Sequence, residues 1–203
     1  MATAIILIAA AYILGSVPFA LVIGKGFYGI DVRKHGSGNI GTTNVFRVLG
    51  KFAGTLVFIG DFAKGFIPVF LATRLIEADD AALVSVLTAG AAIAGHNWSI
   101  LLKGRGGKGV ATGGGAIVAL VPLIFLVVLA VFWVVLLAGR YVSVASLSAA
   151  VTFSVAVIVT NQPRPYIVFA LAGAAVIFYA HRANIKRLVR GEENRVTFPW
   201  NRK

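Results

Sequence analysis

The chain has 203 residues, 59% of them apolar and 13% charged, with no cysteine. So few charges, against roughly 25% in a soluble domain, exclude an ordinary water-soluble fold and point to an integral membrane protein. The missing cysteines exclude disulfides, thiolate catalysis and Cys-ligated metals, and the net charge of +12 fits positive-inside topology or contact with anionic lipid better than nucleic acid.

Residues 1–23 form the first apolar run, and the first charge, Lys25, follows the run rather than preceding it. At ~1.5 Å per residue such a run reaches ~33 Å, enough to cross a bilayer. It is therefore read as a retained helix with its N-terminus outside, not as a signal peptide. Next comes a polar loop, HGSGNIGTTNVFRVLGK over 35–51, with the spacing G-x-G-x-x-G at Gly36, Gly38 and Gly41. It is dense in uncharged hydrogen-bonders: Ser37, Asn39, Thr42, Thr43 and Asn44, followed by Arg47 on a short predicted helix. Small polar groups around a glycine turn suit a polyol phosphate. The same residues also suit a plain capped interfacial helix.

Further spans are predicted over 52–73 and 81–97. In the first, Asp61 and Lys64 share a helical face at i, i+3 and are expected to neutralise one another as a structural pair. The second ends in His96 and Asn97, and His96 there is a candidate general base, substrate ligand or cap. A second glycine loop follows, KGRGGKGVATGGG over 103–115, again with G-x-G-x-x-G at Gly104, Gly106 and Gly109. Flanking spans leave no room for the βαβ unit of a dinucleotide fold. A Walker A loop fails too, because Val110 and Ala111 stand where Lys and Ser or Thr are needed. The phosphate chemistry survives both failures. Lys108 and the amides of 104–109 precede a helix starting near Val110, whose N-terminus favours an anion.

The apolar stretch 109–138 is too long for one ordinary helix and holds Pro122 near its middle, so it is one kinked helix or two short ones. Spans over 142–160 and 165–181 complete the series, and the tail HRANIKRLVRGEENR (181–195) extends the last. There His181, Asn184 and Leu188 share a face, Arg187 is nearby and Gly191 is placed as a C-cap. An amphipathic helix lying on anionic lipid reads equally well.

Charge decides the span count. With seven spans and the N-terminus outside, all of the 19 Lys and Arg except Lys64, Arg74 and Arg164 fall on the inner side. Six spans would put Arg140 and the basic tail outside, against the positive-inside rule. The expected fold is thus an all-α integral membrane protein, one domain over 1–203, with seven transmembrane helices, some short around 109–138, and a cytoplasmic C-terminus. Both glycine loops and the tail then face the cytoplasm, where one composite site can be built from all three.

The seven carboxylates are scattered, leaving no acid–base dyad and no cluster for a metal. No His is followed five residues later by Asp, since those positions hold Ile40, Leu101 and Lys186. The H-x-x-x-x-D pattern of soluble-type glycerolipid acyltransferases is thereby absent, as is the D-x-x-D-G of CDP-alcohol phosphotransferases. Many phosphate donors with few bases suit a substrate that arrives already activated.

SGNIGTTN with Arg47, GDFAKG at 60–65, GHNW followed by KGRGGKGVAT, and HRANIKRLVRGEE together resemble the bacterial acyl-phosphate:glycerol-3-phosphate acyltransferases in order, spacing and chain length. The resemblance spans nearly the whole chain. It implies a seven-helix protein of the bacterial inner membrane that needs no metal or other cofactor and works at the cytoplasmic face. The implied reaction moves a fatty acyl group from acyl phosphate to the sn-1 hydroxyl of glycerol 3-phosphate, giving lysophosphatidic acid and phosphate. Carried over by motif, Gly104, Gly106, Gly107 and Gly109 hold the phosphate of the donor. Ser37, Arg47, Lys108, His181 and Asn184 hold the polar substrate and orient the reacting groups. Asn39, Thr43, Asn44 and His96 match further polar positions, with Ser37, His96, Lys108 and Asn184 the catalytic candidates. Arg105 departs from the commoner K-G-G-K-G form of the second loop. Implied partners are the two substrates and membrane lipid, with no nucleic acid, and a monomer is compatible with all of this. The competing class is a transporter of an anionic phosphorylated metabolite, which calls for an inverted repeat and polar groups at mid-membrane.

Overall fold

A computed structural model describes residues 1–197, which are all-helical apart from turns and loops. Arg202 and Lys203, counted above in the basic tail, lie outside the described residues. The chain divides into two compact units, one over Met1–Pro122 and one from Leu123 onward.

In the first unit, α1 (Ala2–Ser16) and α2 (Phe19–Tyr28) are halves of one bent rod. The bend of 41° falls at Val17–Pro18, where proline supplies no N–H and pushes the preceding residue out of helical geometry. A single 3₁₀ turn, Val32–Lys34, leads into the first glycine loop. Helix α3 (Thr42–Leu75) is broken at Gly50, whose φ of 85° and ψ of −173° are open to glycine alone. The eight residues before the break are the short helix that carries Arg47, and the apolar stretch follows. Helix α4 (Ala78–Asn97) opens with Asp79 and Asp80, which suit its N-terminal dipole, and ends at the second glycine loop. Helix α5 (Val110–Leu120) stops one residue short of Pro122.

Small residues let these helices touch backbone to backbone. A Cβ on Gly65 of α3 would collide with the Thr112 carbonyl of α5, and one on Gly115 with the Phe62 carbonyl. Close approach of this kind is how helices associate where no hydrophobic drive separates lipid from protein. Ala20, Leu21, Val32, Ile40, Val45, Ala53 and Val57 form a buried apolar cluster beneath the first loop, and Leu102, the residue that leads into the second loop, packs on it. Both glycine loops therefore rest on one apolar footing.

The second unit comprises α6 (Pro122–Gly139), α7 (Val142–Val159), α8 (Arg164–Ala180) and α9 (Arg182–Val189). Apolar stretch 109–138 is thus two helices, with Pro122 opening the second, where its missing N–H costs nothing. Helices α7 and α8 pair through Ser154 Oγ donating to the Ala170 carbonyl at 3.2 Å and an edge-on Phe153–Phe169 contact. Helix α9 closes with the Gly191 N–H on the Leu188 carbonyl and the Glu192 N–H on the Arg187 carbonyl, the double bond pair of a glycine-terminated helix. The chain then turns back to the start of α7, where the Val196 N–H meets the Arg140 carbonyl at 2.7 Å.

Among the described residues, three helices are long and apolar enough to cross a membrane, and up to five spans result if each bent pair counts as one. Leu123, Val134 and Ile5 are among many large apolar residues turned outward, the surface a hydrocarbon solvent requires and water does not tolerate over wide areas.

Candidate active site

One buried side chain organises the first glycine loop. Asn44, 2% exposed, sits in the first turn of α3 and reaches back along the loop. Its Oδ1 accepts from the Ser37 N–H at 2.8 Å, and its Nδ2 donates to the carbonyls of Val32 and His35 at 3.0 and 3.1 Å. Asn39 shapes the next turn, its Oδ1 accepting from the Gly41 N–H at 2.7 Å. Ser37 and Arg47 are left exposed and Thr43 half-buried. Of the polar residues expected to meet substrate, Asn39 and Asn44 hold the loop, while Ser37, Thr43 and Arg47 are presented by it. Upstream, Asp31 binds Arg33 at 2.6 Å and Lys25 at 3.2 Å. The Arg33 guanidinium above all, with Lys25, holds its carboxyl well below the usual carboxylate range.

The second loop spends its own amides. The N–H groups of Gly106 and Gly107 donate to the carbonyls of Asn97 and His96, both at 3.0 Å, and those of Gly104 and Arg105 to Ser99 and Leu102. The first two bonds satisfy carbonyls that the end of α4 leaves without helical partners, and the other two close the turn that follows it. Four amides assigned to phosphate by the sequence are therefore internal to the loop. The donors without an intrahelical acceptor are those of the first turn of α5, after Gly109. Lys108 stands half-buried just ahead of them.

Beneath this loop lies an ionic group spanning three helices. Asp61 and Lys64 of α3, each 2% exposed, pair at 2.7 Å, as their spacing predicts. Lys64 also donates to the Val17 carbonyl at 2.9 Å and faces the Phe19 ring, the carbonyl being one that Pro18 interrupts from helical use. The His96 side chain is 4% exposed. Its Nδ1 lies 3.2 Å from Thr112 Oγ1 and 3.6 Å from Asp61, and a Cβ on Gly107 would strike its Nε2. Geometry thus makes His96 a strut joining α3, α4, α5 and the loop.

In the second unit, His181 and Asn184 are both buried at the α8–α9 bend. His181 Nδ1 lies 2.8 Å from the Ile177 carbonyl. Asn184 Nδ2 donates to Glu193 at 2.6 Å, and the same carboxylate receives Ser143 Oγ at 2.9 Å and Arg187 Nε at 2.7 Å. Burial pushes the Glu193 carboxyl up, but these three donors outweigh it and hold it below its ordinary 4.5. Its share of stability is therefore complete above pH 4.5 and is lost as pH falls through the folded value. Glu193→Gln is expected to flatten this acid-side loss. Thermal unfolding in detergent between about pH 3 and pH 6 checks it, parallel curves for both proteins being the contrary result.

Three residues that matter here escaped the sequence reading of the site. Thr112 belongs to the KGVAT run, but only the fold brings it to His96. Glu193 follows the Gly191 cap by two residues, a position from which a chain reversal returns it to Asn184. Asn97 adjoins His96, and only the fold shows that its side chain is buried.

A family model described as glycerol-3-phosphate acyltransferase matches residues 5–191. The chain belongs to this family. Among its relatives, a glycerol-3-phosphate acyltransferase of Geobacillus kaustophilus is 47% identical over 200 residues, covering 98% of this chain and 99% of that protein. One from Rubrobacter xylanophilus is 45% identical over 191 residues, covering 94% of each. The structure is similar to crystal structures of PlsY (YgiH), an integral membrane glycerol 3-phosphate acyltransferase. Its glycerol 3-phosphate form gives a TM-score of 0.91 at 40% identity, and its lysophosphatidic acid form 0.89 at 39%, each covering 96% of both chains. Family membership and an integral membrane, all-helical fold agree with the sequence reading.

Proposed function

We propose that this protein transfers a fatty acyl group from acyl phosphate to the sn-1 hydroxyl of glycerol 3-phosphate, releasing lysophosphatidic acid and inorganic phosphate. The observation that carries the reading is the pair of glycine loops on one apolar footing, one presenting Ser37 and Arg47, the other leading into the N-terminus of α5. PlsY captured with glycerol 3-phosphate and with lysophosphatidic acid supports the acceptor and the product. Acyl phosphate as donor is supported by the motif resemblance and by the anion-binding character of the second loop.

A mixed anhydride is reactive enough to need placement rather than a strong base. The acceptor hydroxyl oxygen attacks the acyl carbon, the bond from that carbon to the phosphate oxygen breaks, and the hydroxyl proton passes to a phosphate oxygen of the substrates. His96 is enclosed by Asp61, Thr112 and Gly107, which favours this substrate-assisted route over a histidine base. Lys108 and the first turn of α5 stabilise the charge that grows as phosphate leaves. Ser37 and Arg47 fix the acceptor, where orientation is worth up to ~7–11 kcal/mol. His181 and Asn184 enter through the family motif.

Purified protein in detergent, given palmitoyl phosphate and glycerol 3-phosphate without metal, is expected to release phosphate near neutral pH. No release sinks the assignment. Because Asn44 sets the position of Ser37, Asn44→Ala is expected to cost about 10²-fold in kcat/KM, measured in the same assay. An unchanged value shows that the loop does not need its anchor.

We place the reaction at the cytoplasmic face of a bacterial inner membrane, with seven crossings, the N-terminus outside and the C-terminus inside. The distribution of basic residues and the division at Pro122 support this topology. The chain has no native cysteine, so single cysteines placed at Arg74 and Arg105 report sidedness cleanly. Equal labelling of both from the outside refutes the topology.

A further inference from the structure

Asn97 is the last residue of α4 and is 7% exposed. Neither its Oδ1 nor its Nδ2 has a hydrogen-bond partner. Buried carboxamides nearly always find partners, since an unmade bond in a dry site is costly. The neighbours Ser99 and His96 follow that rule, with Ser99 Oγ on the Ser16 carbonyl and His96 on Thr112. Asn97 stands out as the unused amide. Its carboxamide lies against Gly109, where even a Cβ would come within 2.7 Å of Oδ1, and so borders the N-terminus of the 11-residue helix α5. The backbone of Asn97 is fixed independently, its carbonyl receiving the Gly106 N–H.

Oδ1 is the end nearest Gly109 and can only accept, so Nδ2 is the unspent donor, one more N–H for an anion that adds no charge. We propose that the side chain of Asn97 is a ligand to the phosphate group of the acyl donor, acting with the N-terminus of α5. The inference rests on the function proposed above, and extends it by naming a binding residue outside the glycines and Lys108. Phosphate oxygen is the chemistry recognised, and both substrates carry it. Position at α5, on the loop assigned to the donor, assigns it to acyl phosphate.

Steady-state kinetics of the full-length protein with palmitoyl phosphate and glycerol 3-phosphate separates the possibilities. Activity of the unmodified protein tests the function itself, independently of Asn97. In Asn97→Ala, KM for palmitoyl phosphate is expected to rise about 10- to 100-fold, the loss of one charge-assisted hydrogen bond, with KM for glycerol 3-phosphate unchanged. Asn97→Asp keeps the shape but opposes the anion, and is expected to raise the same constant further. Hydrogen–deuterium exchange on the unmodified protein supplies a readout free of folding defects: inorganic phosphate is expected to protect the segment 108–113. An unchanged donor KM in either folded variant, a rise confined to glycerol 3-phosphate, or no protection of that segment overturns the proposal.

Discussion

Ser37→Ala is expected to bring acyl transfer to the floor of the assay, a loss of at least about 10²-fold in kcat, with no change in thermal unfolding. The two halves of that expectation come from different atoms. Ser37 is held through its backbone, the N–H donating to Asn44 at 2.8 Å, and alanine keeps that bond. Its side chain is exposed, so truncation leaves no cavity and strands no buried group. Only what the hydroxyl does for the substrates is lost. Two roles are compatible with such a loss, a hydrogen bond to the reacting groups or a covalent acyl-serine. Among the described residues no base is hydrogen-bonded to the Ser37 hydroxyl, which favours the first role. Rapid quenching of the unmodified protein with labelled acyl phosphate and no acceptor separates the two, a stable label on Ser37 identifying the covalent route. Near-full activity in Ser37→Ala refutes both.

Asp61→Ala is expected to destabilise the protein by about 3–5 kcal/mol, because it leaves a buried ammonium uncompensated. Lys64 would keep the Val17 carbonyl and the Phe19 ring, neither of which carries a full negative charge. His96 would lose the carboxylate beside Nδ1. Replacing both partners, Asp61→Leu with Lys64→Met, removes the stranded charge and is expected to restore most of the lost stability. Activity is expected to stay low in the double variant, since the strut under the second loop is still missing. Thermal unfolding in detergent and the phosphate-release assay, run on the same samples, check both statements. A loss below about 1 kcal/mol in the single variant means that the pair is not desolvated as its burial implies.

Much of this architecture can be read along the chain. Pro122 marks the split between α5 and α6 because proline acts locally, on its own N–H and on the residue before it. Asp61 and Lys64 meet because helical spacing alone brings i and i+3 together. Gly191 closes α9 by the same local logic. What stays hidden is whatever depends on a partner distant in sequence. Gly50 interrupts α3 through a dihedral that the residue permits but does not announce. His96 reads as a possible base until Thr112, Asp61 and Gly107 arrive from three other segments and enclose it. Asn44 has the composition of a substrate ligand, yet its three bonds all go to backbone, of its own loop and of the turn that leads into it. The second glycine loop is the sharpest instance. Its backbone promises free amides, and only the fold reveals that carbonyls between His96 and Leu102 have claimed four of them.

Those four bonds bear on how the proposed donor site would meet its ligand. A glycine-rich segment has more conformational freedom to lose than any other, and a floppy loop would have to surrender it on each encounter. Here the carbonyls of His96, Asn97, Ser99 and Leu102 have already frozen the loop when the chain folds. Binding then begins from an ordered receptor, and the entropy of the loop drops out of every catalytic cycle.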